Sequence, residues 1–262
     1  TGTPFEEIIN ANAQFINPRM FTERLARLQG QVCFVQIPGG GGTGFLVGPD
    51  LVLTNEHVMR RVSDNQASAS DVTCLFDYQT DAQGRALPRK KITKVGLDIA
   101  GWLVDELPPS AHDWEPDLPG DAGDRELDYG LIRLAEEVGS LPVGGDTTDL
   151  EASDRPRGWI DTTADAPATA AGSLIFLLQH PEGDPLQLSI GTVTEINQAG
   201  TRLRYDANSK YGSSGSPCFN ADLQLVALHH ARDPQSPPQW NQAIPLNKIR
   251  AAWQTNAVFV PD

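Results

Sequence analysis

Short apolar runs separated by glycine and proline constrain the fold of this chain more than any other feature. The sequence has 24 glycines and 20 prolines among 262 residues, and the runs between them are rich in valine, isoleucine, leucine and phenylalanine. Apolar runs of about four to eight residues between turn signals are typical of β-strands, whereas helices need longer periodic segments. The pattern therefore predicts an all-β protein, built either as one large domain or as two small barrels that share an interface.

The first 29 residues differ from the rest of the chain. Apolar residues recur there at helical spacing, and Asn17-Pro18 interrupts the pattern. We therefore predict an N-terminal extension, residues 1–29, that contains two short helices. Near the other end, the amphipathic segment 246–253 predicts a C-terminal helix.

Two strand-rich halves lie between these ends. Residues 30–135 form the first half and residues 159–262 the second, which ends in the C-terminal helix; if the chain is built as two barrels, each half is one of them. Residues 136–158 show no clear periodicity and suit a linker. The strand candidates are 32–37, 44–47, 51–54, 72–78, 92–103 and 129–134 in the first half, and 174–179, 186–196, 201–206, 223–229 and 241–246 in the second.

Residues 105–126 form the most polar stretch of the chain. They include eight acidic residues, one arginine and four prolines. This composition is too polar and too rich in proline for a packed element, and it predicts an exposed loop.

Charge and composition exclude several functions. The chain carries 20 basic and 34 acidic residues, a net charge of −14 that repels nucleic-acid phosphate, so nucleic-acid binding is disfavoured. It lacks both the run of about 18 apolar residues that a membrane span needs and the charged-then-apolar start of a secretory signal. We therefore expect a soluble protein without a membrane partner, although a secreted form trimmed of its signal would share this pattern.

The cysteines indicate a reduced environment. Cys33, Cys74 and Cys218 are an odd number, without the even framework typical of secreted disulfide proteins. We expect buried thiols that pack as small apolar groups in a cytoplasmic protein. No metal-ligand spacing and no cofactor motif is present in the sequence, so we expect neither a metal nor a cofactor.

Three segments contain the residue types that nucleophilic acyl chemistry needs. A serine hydroxyl requires a neighbouring base, usually a histidine, whose other nitrogen is oriented by a buried carboxylate. His57 ends the segment TGFLVGPDLVLTNEHV, Asp128 opens the strand candidate in LDYGLIRL, and Ser214 lies in the small-residue turn GSSGSP. Asp124, in the acidic stretch just before, is a rival for the carboxylate role. Pairing with a neighbouring arginine is the structural alternative for Asp128.

These three blocks resemble those of the trypsin-like, chymotrypsin-fold serine peptidases, and more closely the disulfide-poor bacterial branch similar to glutamyl endopeptidases. The order His, Asp, Ser is that of the chymotrypsin type. The resemblance extends over about residues 32–246 and implies two antiparallel six-stranded β-barrels. It also implies a serine endopeptidase that hydrolyses protein or peptide substrates through an acyl-enzyme. His57, Asp128 and Ser214 would form its catalytic triad, and the backbone N–H groups of Gly212 and Ser214 its oxyanion hole.

The residue before the nucleophile departs from the family pattern. Trypsin-like zymogens have an aspartate there that pairs with a newly cut N-terminus, whereas this chain has Ser213. Activation by such an ion pair is therefore not expected. The enzyme would be either constitutively formed or controlled from outside this chain, by a regulatory protein or fused module acting through the N-terminal segment.

The substrate preference is predicted from the same resemblance. By the family's spacing, Asn208 and Ser209 lie at the base of the primary pocket, so no aspartate is there to bind a basic side chain. Glutamyl-specific relatives have a histidine at the position of His229, in a strand that also brings Ala231 to the pocket. These residues suggest a preference for Glu or Asp before the scissile bond. The alternatives for the pair His229-His230 are core packing and metal binding.

A competing hypothesis is a catalytically inactive member of the same fold. It would keep the triad residues as a binding or scaffold module without a formed oxyanion turn. Covalent labelling of Ser214 distinguishes the two hypotheses. A role as a regulated effector protease rests on analogy between folds alone.

Overall fold

The described chain consists of two antiparallel sheets and three α-helices. The computed structural model describes residues 10, 12, 15–87, 91–115, 122–143, 156–163 and 169–261. The helices are α1 (Pro18–Gln29), α2 (Glu56–Ser63) and α3 (Leu246–Thr255). The all-β prediction and the C-terminal helix are confirmed, and α1 is the second of the two helices predicted for the N-terminal extension. The first of them falls in a segment that lies almost wholly outside the described residues.

The first sheet has seven strands in the order β5-β4-β1-β2-β3-β7-β6. They are β1 (Val32–Ile37), β2 (Gly40–Leu46), β3 (Leu51–Thr54), β4 (Thr73–Phe76), β5 (Thr93–Gly96), β6 (Leu103–Leu107) and β7 (Tyr129–Arg133). A bridge between Leu97 and Leu134, just beyond β5 and β7, joins the two sides of this sheet. Six of the strands therefore close into a ring. The seventh, β6, lies outside the ring and pairs with β7.

The sheet has one strand more than the six strand candidates of this half, because the run 92–103 is not a single strand. It is interrupted by a turn in which the Gly101 amide donates to the Asp98 carbonyl at 3.1 Å and the Ala100 amide to the Asp98 side chain at 3.1 Å. Asp and Gly favour such turns. β5 ends before this turn, and β6 begins only at the last residue of the run and continues into the acidic stretch.

The second sheet is a closed barrel of six strands in the order β10-β13-β12-β11-β8-β9. The strands are β8 (Leu174–Gln179), β9 (Gln187–Ile196), β10 (Leu203–Tyr205), β11 (Pro217–Phe219), β12 (Leu225–Arg232) and β13 (Asn241–Pro245). β12 lies between β11 and β13, with His229 opposite Ala243.

Separate apolar clusters fill the two barrels, and a third lies between them. Cys33 and Cys74 belong to the cluster inside the first barrel, and Cys218 to the one inside the second. All three thiols are buried and free, as predicted. The third cluster combines side chains of both halves with α3, including Phe45, Phe176 and others. The cleft between the barrels therefore has a continuous apolar floor.

The acidic stretch is not the wholly exposed loop that its composition predicts. Ser110 begins a 3-10 turn over Ala111–Trp114, and the Asp113 carboxylate in that turn is fully buried. Asp113 receives two hydrogen bonds from Arg202, at 2.6 and 2.8 Å, and both side chains are 0% exposed. A partner 89 positions away compensates this charge, and composition cannot show such a pairing.

No helix in the described part of the chain combines the length and the apolar character that a membrane span requires.

Arg157 anchors the end of the segment predicted as a linker. Its guanidinium donates to both oxygens of Asp77, at 2.7 and 2.8 Å, and also to the Gly30 carbonyl. Arg157 and Asp77 are 2% and 1% exposed. Residues 144–155 of this segment lie outside the described chain, so the linker itself stays a prediction.

Asp77→Ala should lower the free energy of unfolding by about 3 kcal/mol, because it leaves the buried Arg157 guanidinium without its counter-charge. Urea unfolding followed by tryptophan fluorescence measures the change. Arg19→Ala, which breaks the exposed pair with Glu23, is the matched control and should leave the midpoint unchanged. Equal midpoints for both variants would contradict the prediction.

Candidate active site

His57 is positioned where the first barrel passes from a strand into a helix. β3 ends at Thr54, Asn55 precedes the helix as its N-cap residue, and His57 lies in the first turn of α2. This helix was not predicted, because its eight residues are too few for a clear apolar period. The Asn55 side chain donates to the Asp128 carbonyl at 2.8 Å. The turn is thus tied to the strand that follows the candidate carboxylate.

Asp128 orients the His57 ring. Its Oδ2 lies 2.7 Å from Nδ1 of His57, and its Oδ1 accepts the His57 backbone N–H at 3.1 Å. Asp128 has a φ of 40°, in the left-handed region that Asp and Asn tolerate better than most residues. The side chain is 0% exposed, so the carboxylate is held between fixed donors and away from water.

The charges of this pair stabilise each other. Burial by itself raises the pKa of Asp128, but the charge of His57 and hydrogen bonds from His230 and His57 outweigh it and hold the pKa well below its usual range. Burial lowers the pKa of His57, whereas the charge of Asp128 and the hydrogen bond to it raise the pKa above its ordinary value. Asp128 is therefore ionised, and His57 is a stronger base than a free imidazole.

The rival carboxylate lies elsewhere. Asp124 is 74% exposed in its side chain and accepts a hydrogen bond from Lys248 at 2.9 Å.

Ser214 lies in a turn that needs glycine at two positions. Gly212 and Gly215 have φ values of +90° and +86°, which side chains rarely allow. A Cβ atom on Gly212 would lie 2.6 Å from the His180 carbonyl oxygen, and one on Gly215 would overlap the Thr43 carbonyl oxygen. The sequence GSSGSP therefore forms a turn whose backbone is packed against its neighbours.

Backbone hydrogen bonds in this turn leave two amides available. The amides of Ser213, Gly215 and Ser216 donate to the carbonyls of Lys210, His229 and Ser213. Among the described residues, no hydrogen bond uses the N–H of Gly212 or Ser214. These are the two groups predicted to form the oxyanion hole.

Thr43 joins this turn to the first barrel. Its amide donates to the Ser214 carbonyl at 2.7 Å, and its hydroxyl donates to the Gly212 carbonyl at 2.9 Å. His57 and Ser214 then line one cavity of about 240 Å³, together with the glycine-rich tip of the β1–β2 hairpin and Tyr211. The two residues, from opposite barrels, face the same space.

Of the predicted pocket residues, His229 and Ala231 lie on β12, whereas Ser209 lies in the segment after β10 and lines a separate cavity. Ser209 lines a cavity of about 300 Å³ with Asn208, and its hydroxyl donates to Asn241 at 2.7 Å. Asn241 is opposite Arg232 on β12, next to the buried Ala231. Ser209 thus contacts β13 at the position paired with the residue after Ala231.

His229 is buried on β12, where Nδ1 lies 2.6 Å from the Tyr205 hydroxyl. Burial, and to a lesser degree the neighbouring imidazoles of His230 and His57, lower the pKa of His229 to about 3. Burial also raises the pKa of Tyr205 well above its usual value. The pair is therefore neutral near pH 7. If the Tyr205 hydroxyl donates to Nδ1, the ring proton is on Nε2; the ring also makes a hydrogen bond to the backbone of Gln242.

Comparison with known proteins identifies the family. A model of the trypsin-like peptidase domain matches residues 42–228, more than half of the 262-residue chain. The chain belongs to the trypsin-like peptidase family. The matched region of this trypsin-like peptidase includes His57, Asp128 and Ser214.

Its curated relatives are bacterial. A protein of Lysobacter enzymogenes named "Probable serine protease" is 30% identical over 72% of this chain and 27% of its own length. An uncharacterised protein of Sinorhizobium fredii is 29% identical over 82% of this chain and 29% of its own length. A glutamyl endopeptidase of Staphylococcus epidermidis is 25% identical over 76% of this chain and 58% of its own length. The chain thus spans less than a third of the first two relatives.

Solved structures share the fold. The Rv3671c protease from Mycobacterium tuberculosis superposes with a TM-score of 0.56 at 13% identity, covering 100% of this chain and 96% of that one. A Glu endopeptidase superposes with a TM-score of 0.55 at 16% identity, covering 89% and 93%. These likenesses confirm the chymotrypsin-like fold.

Two residues near the site of this trypsin-like peptidase escaped the sequence analysis. Trp114 is 48% exposed and its ring lies edge-on to His57, with centroids 6.1 Å apart. His230 is 1% exposed and contacts Asp128. The doubled histidine on β12 was visible in the sequence, but its contact with Asp128 joins residues 102 positions apart.

Asp128→Asn should move the acidic limb of the kcat/KM profile to lower pH. His57 must be neutral to accept a proton, so activity is lost as pH falls through its raised pKa, and removing the Asp128 charge lowers that pKa. The rate itself should fall by up to about 10⁴-fold, because the imidazole tautomer is no longer fixed. Asn tolerates the same backbone conformation, and peptide hydrolysis from pH 5 to 9 measures both effects.

Asp124→Asn is the control for this prediction and should leave rate and pH profile unchanged. A loss of turnover in Asp124→Asn, with Asp128→Asn active, would mean that the orienting carboxylate is misassigned.

Proposed function

We propose that this chain is a serine endopeptidase in which Ser214 is the nucleophile, His57 the general base and Asp128 the orienting carboxylate. The observation that carries the proposal is the 2.7 Å contact between the buried Asp128 carboxylate and Nδ1 of His57. Because Nδ1 contacts Asp128, Nε2 of His57 is the ring nitrogen that can accept a proton on the side of the cavity shared with Ser214. The triad thus has a base whose tautomer is fixed by a charge.

In this proposal, Ser214 attacks a peptide carbonyl while His57 takes its proton, and His57 then protonates the leaving amine. Water hydrolyses the resulting acyl-enzyme by the reverse proton transfers. Asp128 remains ionised throughout, which agrees with the lowered pKa of its carboxyl.

The amides of Gly212 and Ser214 would stabilise the oxyanion that forms during attack. Their freedom from other hydrogen bonds among the described residues supports this role. The turn is held by Thr43 and by the bond from Gly215 to His229 rather than by an ion pair. We infer that the nucleophile turn is formed without cleavage of a zymogen, so that the enzyme is either constitutively formed or, as a regulated effector protease, controlled by a partner or fused module.

Ser214→Ala should lower kcat for peptide hydrolysis by about 10⁶-fold, because no other group in the turn can form the acyl-enzyme. A fluorophosphonate should label the native chain at Ser214 and leave the variant unlabelled, as intact mass and peptide mapping would show. Ser213→Ala is the matched control and should retain labelling. A native chain that is folded but resists labelling would favour the inactive binding or scaffold module.

We further propose that substrates carry Glu or Asp before the scissile bond and that His229 binds this side chain. The relatives named glutamyl endopeptidase support the preference. Because His229 is neutral near pH 7, recognition would use a ring N–H, shared with or exchanged from the Gln242 backbone, as a donor to the substrate carboxylate rather than an imidazolium charge. The net charge of −14 opposes acidic substrates at long range, so the preference has to arise from this local contact.

Cleavage after Glu should exceed cleavage after Gln in an otherwise identical peptide by about tenfold in kcat/KM, since a hydrogen bond to a carboxylate is stronger than one to an amide. Tyr205→Phe should reduce this ratio, because it removes the donor that fixes the His229 tautomer. His229→Ala should abolish the ratio while retaining Ser214 labelling. A cleavage profile that is apolar or basic, or one that His229→Ala leaves unchanged, would remove the glutamyl proposal and leave His229 as a packing residue.

A further inference from the structure

Behind the triad, five buried polar side chains form a continuous path of hydrogen bonds between the barrels. Nδ1 of His230 lies 3.1 Å from Oδ2 of Asp128, and Nε2 of His230 lies 3.1 Å from Nε2 of Gln242. Gln242 also donates to Asp113 at 3.1 Å, and Asp113 is bound by Arg202. None of the five side chains exceeds 1% exposure. Bulk solvent therefore does not reach their polar groups, and each depends on its neighbours.

The orientation of the Gln242 amide follows from its two charged neighbours. The nitrogen faces the Asp113 carboxylate, which can only accept a hydrogen bond, and the oxygen faces Nε of Arg204 at 3.3 Å. Exchanging the two atoms would place an oxygen against the carboxylate and an N–H against the guanidinium. The nitrogen therefore stays on the side of Asp113, and its second hydrogen points to His230.

This orientation determines the protonation of His230. With an N–H of Gln242 directed at it, Nε2 of His230 has to be the hydrogen-bond acceptor and carries no proton. The ring proton is then on Nδ1, directed at Asp128. The Asp113–Arg202 ion pair thus acts through Gln242 to make His230 a neutral imidazole that donates to the triad carboxylate.

Asp128 consequently shares its charge between two imidazoles. Oδ2 accepts from Nδ1 of His57 at 2.7 Å and from Nδ1 of His230 at 3.1 Å. The two contacts approach the same oxygen from opposite barrels, His57 from α2 and His230 from β12. A donor from the second barrel therefore limits how the carboxylate can rotate and how much of its charge acts on His57.

We propose that His230 is a positioning residue of the triad: as a neutral donor fixed by Gln242 and the Asp113–Arg202 pair, it holds Asp128 in the orientation that His57 needs. The inference rests on the proposed function and deepens it. His230 touches neither substrate nor reacting atoms and acts through Asp128.

The test uses substitutions of His230 in the full chain. His230→Leu keeps an apolar volume but removes the donor, so kcat should fall about 10- to 100-fold, the effect of losing one hydrogen bond to a charged group. KM should change less than about twofold, because no contact with substrate is lost. His230→Asn offers an amide N–H near the position of Nδ1 and should recover most of kcat. Val226→Ala, also on β12, is the control for destabilisation, since Val226 packs inside the second barrel.

The pH profile separates this role from simple packing. Without the His230 donor, more of the Asp128 charge acts on His57, so the pKa of His57 and the acidic limb of kcat/KM should move to higher pH. The other charged groups that face His57 are Arg60 and Glu56, and neither is altered in these variants. Val226→Ala should leave the limb unmoved. An unchanged kcat and pH profile in His230→Leu, or a loss that Val226→Ala matches and His230→Asn does not relieve, would overturn the inference.

A measurement on the native chain covers the case in which His230→Leu does not fold. Nitrogen-15 NMR of the histidine rings, assigned with His230→Asn, should show His230 protonated at Nδ1 and unprotonated at Nε2 at pH 7. The opposite tautomer or an imidazolium would overturn the inference. Failure of the native chain to label at Ser214 would instead refute the proposed function, and the two failures are thereby distinguished.

Discussion

The arrangement of the site depends on one buried negative charge. The Asp128 carboxylate has no exposure to solvent, and an ionised group in such a place costs several kcal/mol unless donors replace its water. The donors here are the backbone and ring of His57 and the ring of His230. Because they belong to α2 and β12, satisfying the charge also sets the first barrel, its helix and the second barrel relative to one another.

A second requirement is that the nucleophile turn be rigid without an internal ion pair. Ser213 stands where an activating aspartate would be, and the turn is instead bound by Thr43 from the first barrel and by β12 from the second. Gly212 and Gly215 allow the backbone to approach these partners closely. The amides of Gly212 and Ser214 are therefore oriented by uncharged contacts, which salt screens far less than charge pairs.

The acidic stretch shows that composition alone does not predict which residues are buried. Eight carboxylates within residues 105–126 indicate solvent exposure on average, yet Asp113 is fully buried against Arg202. The same short turn carries Trp114 beside His57 at the surface. A buried ion pair thus fixes a segment whose composition is typical of an unpacked loop.

Much of the fold and the site follows from local sequence pattern. Strands are indicated by the alternation of apolar and polar residues and by turn residues between them, and the site by the three blocks around His57, Asp128 and Ser214; all of these are properties of neighbouring residues. The all-β class, both barrels, the buried thiols and the C-terminal helix were predictable in this way. The early end of β5 and the start of β6 at Leu103 were not, since a turn within an apolar run depends on which strand each part pairs with. The short helix α2 was also missed, because its length is below what periodicity can resolve.

The sequence by itself determined the chemistry available to this protein: a serine in a glycine turn, a histidine after a strand and an aspartate before one, in the order of one family. Only the tertiary structure decided which groups satisfy one another. It excluded Asp124 as the partner of His57 by pairing it with Lys248, neutralised His229 by burial, and brought His230 to Asp128. The contact between His230 and Asp128 joins residues 102 positions apart, and it is selected by the cost of leaving a buried polar group unpaired, which a local sequence pattern does not contain.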